Sequence, residues 1–99
     1  MGRAGRAKNP LPELFSQTAW QALGEHFGLS KRQREVAELV CRGHSNREIA
    51  VGLRKAPDTV RMHLRGLYDK LDVHDHVGVV VRLVVAERNL RIRPRGVRR

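Results

Sequence analysis

A chain of 99 residues with 4% aromatic side chains and one cysteine forms one small domain whose core must be Leu, Val and Ala. That size leaves no room for a deep enzyme cleft, the single Cys41 cannot make an internal disulfide, and no apolar run is long enough to span a membrane. The net charge of +10 sits at the ends: residues 1–9 and 88–99 carry nine of the twenty Lys and Arg and no acid, so residues 10–87 hold eleven basic against ten acidic side chains.

Residues 1–11 (Met1 to Leu11) have no periodicity and read as a flexible basic arm, either DNA-contacting or passive. They contain no apolar stretch of the kind a secretory signal needs. Residues 12–28 hold one helix: Ser16 is its N-cap, Trp20, Leu23 and Phe27 share a face, and Gly28 stops it. That aromatic face either docks on a neighbouring helix or serves a partner.

From Leu29 to Gly43 a second helix opens on a capping box, Ser30 with Gln33. Val36, Leu39 and Val40 face inward, and Cys41 beside them reads as a small core residue, not a reactive thiol. Ser45 and Glu48 make another capping box, which starts a short helix to Arg54 with Ile49, Ala50 and Leu53 on its buried stripe. Its N-terminus favours a phosphate, and Asn46 and Arg47 add side-chain donors there.

Lys55 to Asp58 reads as a turn, with Pro57 suited to the first turn of the next helix. From Thr59 to Asp72, Val60, Leu64, Leu67 and Leu71 form an apolar stripe over three turns. Arg61, Met62 and Arg65 must then share an exposed face. A short helix, a tight turn and a longer helix with a basic outer face make a helix-turn-helix, whose second helix enters the DNA major groove. Gly66 inside that helix is read as permitting close approach to the DNA backbone.

After a short turn in which Asp75 is placed to cap the next helix, residues 76–88 contain VGVVVRLVV, strand-like by propensity. A lone strand would have no sheet partner here. Residues 89–99 read as a basic tail suited to phosphate attraction. The His74-Asp75-His76 run reads as polar surface and cap; a metal site would need three or four converging ligands.

Three segments together, LSKRQREV, G-x-SNREIA and TVRMHLRGLYDKLDV, resemble the DNA-binding domain of the LuxR/GerE family of bacterial transcription regulators. The resemblance covers Leu29 to Val73, and Val77 to Glu87 extends it as the family's fourth helix. It implies an all-α fold: a four-helix LuxR/GerE-like helix-turn-helix domain over residues 29–88, with an additional N-terminal helix and basic tails. It also implies that Arg61, Met62 and Arg65 reach base edges and that Thr59 and Lys70 contact the DNA backbone, beside the phosphate contact read above for Asn46 and Arg47 from their place at a helix start. The fourth helix would make a two-fold dimer contact through Val77, Val81 and Val84 or Val85. The chain departs from the family pattern at Gln33 (usually Glu), Ala37 (usually larger and apolar), Lys55 (usually apolar) and Ala56 (usually a Ser or Thr cap).

Two functions of different classes are compatible with these features, beside non-specific nucleic-acid binding by the tails alone. One is a sequence-specific regulator that binds double-stranded DNA as a homodimer, located in the bacterial cytoplasm and on the nucleoid when bound. The other is an interaction protein that pairs with a full-length relative through helix 76–88. Neither implies a cofactor, a metal or an enzymatic activity.

Overall fold

The computed structural model describes residues 13–92, which form five α-helices: α1 (Gln17–Phe27), α2 (Lys31–Cys41), α3 (Asn46–Leu53), α4 (Pro57–Leu71) and α5 (His76–Ile92). The all-α expectation holds among these residues. The expected arm at 1–11 and the end of the expected tail lie outside them.

Four of the five helices among the described residues start where a side chain satisfies one of their free N–H groups. Ser16 accepts from Ala19 N–H at 3.1 Å, and the capping boxes Ser30–Gln33 and Ser45–Glu48 are both formed in both directions. Phe15, just before the Ser16 cap, packs edge-to-face on Trp20 with ring centroids 5.1 Å apart. These are the two positions of a hydrophobic staple, which fixes the angle at which the chain enters α1. Both rings are buried, so Trp20 docks within the molecule and is not a partner surface.

Helix α4 begins at Pro57, two residues before the expected start at Thr59. Proline at the first helical position loses nothing, because that N–H has no intrahelical partner. The N-cap Ala56 supplies no side-chain bond, while Asp58 places a carboxylate in the first turn. The helix closes on Asp72 in the left-handed region, φ 58° and ψ 52°, and α3 closes likewise on Arg54, φ 58° and ψ 44°. A side chain with a Cβ is strained there by about 1–2 kcal/mol, so both positions hold conformations that glycine would adopt more cheaply.

The valine-rich segment is helical, against its strand propensity. Val79, Leu83 and Ala86 are buried in the core, and Val80, Val84 and Leu90 pack on its edge. Tertiary burial outweighs an intrinsic preference of this size. The helix runs to Ile92, past the expected boundary at residue 88, so the first residues of the expected tail are helical. Leu90 on the core and an ion pair from Arg91 Nε to Glu87 Oε2 at 2.8 Å support this extension.

Helix α2 is the hub: it packs on α3, α4 and α5, while α1 covers another part of α5. Ala37, the family departure, is fully buried at this hub with Val36 and Val40. Gly66 leaves room for a side chain of α2: a Cβ there would lie 2.7 Å from Gln33 Nε2, the tip of that side chain. The neighbour found at this glycine is a side chain of the same chain. At Gly78 a Cβ would lie 2.8 Å from the Val73 Cβ, which explains a glycine in the first turn of α5. The same turn is capped by Asp75, whose Oδ1 accepts from Gly78 N–H at 2.7 Å.

Candidate nucleic-acid interface

The stripe of Val60, Leu64, Leu67 and Leu71 anchors α4 in the core. Helical geometry then turns Arg61, Met62 and Arg65 to the opposite side, where all three are exposed, Met62 by 63%. Asp58 joins them on this face and forms an ion pair with Arg61. Both partners are largely in water, so the pair is weak and easily exchanged for another acceptor. Arg65 has no acidic partner among the described residues.

The four expected backbone-contacting residues divide into two groups. Asn46 and Arg47 stand exposed at the start of α3. Asn46 is also tied to α5, because His76 Nε2–H donates to its Oδ1 at 2.6 Å. That leaves the amide NH2, a donor, facing away from this bond. Thr59 and Lys70 lie on the flank of α4. There the Lys70 ammonium donates to the Gly28 carbonyl at 2.6 Å and approaches Gln33 Oε1 at 3.5 Å. Lys70 thus secures α4 to the α1–α2 joint and is not gathered with the outer arginines.

A second structural cation carried no signal in the sequence. Arg82 of α5 donates from Nε to the Leu71 carbonyl at 2.9 Å and from Nη2 to the Asp72 carbonyl at 3.4 Å. Its charge lies at the negative end of the α4 dipole. The contact spans eleven residues and two helices, beyond the reach of a local pattern.

Several positive charges of the helix-turn-helix have no acidic partner, whereas the arginines of α2 and its C-cap are paired. Arg32 pairs with Glu35, Arg34 with Glu38, and Arg42 with Glu13. Arg47, Arg54, Lys55 and Arg65 have no acidic partner among the described residues. A body with near-zero net charge therefore leaves four exposed cations on or next to the helix-turn-helix free to meet polyanion phosphates.

On α5, Val77, Val81 and Val85 are 69%, 54% and 46% exposed. Steps of four residues drift only about 40° around a helix, so the three form one line. Val84 turns inward and packs on the core, which leaves Val85 as the outward member of the pair Val84/Val85.

Two shifted acidities lie off this face. Burial, with a smaller push from Glu38, raises the Cys41 thiol to about 12, and burial, with Asp75, raises the Tyr68 phenol. Both groups are neutral at physiological pH. Among the described residues no helix is long and apolar enough to cross a membrane.

The profile of the GerE family, described as bacterial regulatory proteins of the luxR family, matches residues 28–83. YhjB of Escherichia coli K12, which carries an HTH-type transcriptional regulator name, is 36% identical over 76 residues, 77% of this chain and 38% of that protein. The transcriptional regulatory protein UhpA of Salmonella typhimurium is 39% identical over 62 residues, covering 63% of this chain and 32% of its own. NarL of Mycobacterium tuberculosis, which carries a transcriptional regulatory protein name, is 44% identical over 52 residues, 52% of this chain and 24% of its own. The chain thus spans well under half the length of each of these relatives, and no solved structure matches it. With the profile covering more than half of the chain, over α2 to α4 and the first half of α5, the protein belongs to the luxR family of bacterial regulatory proteins.

Proposed function

We propose that the protein is a sequence-specific DNA-binding transcriptional regulator that acts as a homodimer, with α4 of each copy in the major groove of one half-site. One observation carries this reading: Arg61, Met62 and Arg65 occupy the outer face of α4 and have no role in the core. Arginine at Arg61 or Arg65 matches guanine O6 and N7 bidentately, and Met62 offers an apolar contact to a thymine methyl. Asn46, Arg47 and Thr59 would fix register through phosphates, and Lys70 would join them only by exchanging its bond to Gly28.

The Val77–Val81–Val85 line supplies the two-fold contact. A dimer of this kind places half-sites about one helical turn, ~10 bp, apart. The same line would serve a longer relative, and sedimentation of the purified chain alone separates the two cases. Selection of bound sequences from a random duplex pool at near-physiological salt tests the whole reading. An inverted repeat supports it. Equal binding to every duplex, lost as salt rises, contradicts sequence-specific recognition by this chain.

A further inference from the structure

We infer that Arg54 and Lys55 form a phosphate clamp on the turn of the helix-turn-helix, where the apolar residue common in the family at position 55 would supply no charge. The inference rests on the DNA-binding reading and adds a positioning contact to it.

Three observations converge on the turn. Arg54 occupies a left-handed conformation, φ 58°, that glycine would hold without strain, so an arginine here keeps its side chain at the expense of backbone comfort. Lys55 stands where the family commonly has an apolar residue, and it is exposed. Neither cation has an acidic partner among the described residues. The nearest carboxylate in sequence, Asp58, is already engaged by Arg61.

The backbone holds the pair in place. Arg54 N–H donates to the Val51 carbonyl at 3.2 Å and Lys55 N–H to the Ala50 carbonyl at 3.0 Å. These bonds close the end of α3, so the two side chains leave a fixed stretch of chain and not a loose loop. On α3 itself, Arg47 and Val51 are both exposed, at helical spacing from one another and from Arg54. The first helix of such a motif crosses the DNA backbone while the second enters the groove. A cationic turn between them meets phosphates, and such contacts position the protein without reading bases.

The test uses the full chain and a fluorescein-labelled duplex of random sequence. Dissociation constants are measured over a series of salt concentrations for wild type, the double variant Arg54→Gln/Lys55→Gln, and Arg34→Gln, whose charge is matched by Glu38 within the fold. Circular dichroism melts establish that each variant is folded. The expected result is a salt slope about 1.8 smaller for the double variant, two phosphate contacts at about 0.9 each, with the slope of Arg34→Gln unchanged. A double-variant slope equal to wild type overturns the clamp and leaves the DNA-binding reading standing. The same per-charge change in Arg34→Gln also overturns it, because the effect is then one of net charge. Absence of binding by the wild type removes the DNA-binding reading and the clamp with it.

Discussion

The Lys70 ammonium donates a 2.6 Å hydrogen bond to the Gly28 carbonyl, forty-two residues away in sequence. Gly28 is the left-handed residue that ends α1, and Lys70 lies in the last turn of α4. One side chain therefore joins the end of the additional N-terminal helix to the helix proposed to read DNA. Lys70→Met keeps the apolar stem and deletes the donor. We expect a loss of about 1 kcal/mol, seen as a lower denaturant midpoint at unchanged m-value in the absence of DNA. Unchanged stability would return Lys70 to a purely DNA-facing role.

Gly66 and Gln33 should behave as a coupled pair. Alanine in a helix interior gains about 1 kcal/mol over glycine. At position 66 its methyl would displace the Gln33 amide, which also closes the Ser30 capping box at 3.0 Å. Gly66→Ala alone is therefore expected to change stability little. In a Gln33→Ala background the same substitution should stabilise by about 1 kcal/mol. A double-mutant cycle measures the difference directly, and simple additivity would refute the coupling.

Much of this architecture was legible because its causes are local. Ser30 with Gln33 and Ser45 with Glu48 announce their helices within four residues. The stripe Val60–Leu64–Leu67–Leu71 names the buried side of α4, and the exposed side is its complement. The Phe15–Trp20 staple was also within local reach, since the two residues flank the Ser16 cap at the required spacing. By contrast, the helical state of the valine run was not readable from propensity; it depends on burial of Val79 and Leu83. Gly66 against Gln33, Lys70 on Gly28 and Arg82 at the end of α4 join residues distant in the chain, and no spacing rule announces them.

The Cys41 thiol supplies a chemical check on the packing. Burial raises it to about 12, well above the usual thiol value. The thiolate is the reactive species, so alkylation at pH 8 should be far slower in the native protein than in denaturant. Stability is linked to the same proton. The group stays protonated in both states below the unfolded value near 9, so its contribution is complete there and is lost as pH rises from 9 towards 12. Fast native alkylation, followed by mass spectrometry, would contradict the burial.

The exposed valines make a separate prediction. Val81 is the middle of the line formed with Val77 and Val85. Val81→Glu places like charges at the centre of a two-fold contact and should convert a dimer to a monomer in sedimentation equilibrium. Because Val81 faces away from the core, the melting temperature of the monomer should change little. If the wild type is already monomeric at all accessible concentrations, the homodimer proposal fails.

Direct base readout by the outer face of α4 is tested most directly by the sequence preference of Arg65→Ala, obtained by the same duplex selection as wild type. Loss of one bidentate contact costs about 1–3 kcal/mol at one base pair. The predicted result is an inverted repeat that loses its preference at one symmetric position in each half-site and keeps it elsewhere. Uniform weakening at every position, with the motif otherwise intact, would make Arg65 a phosphate contact and contradict readout by that residue.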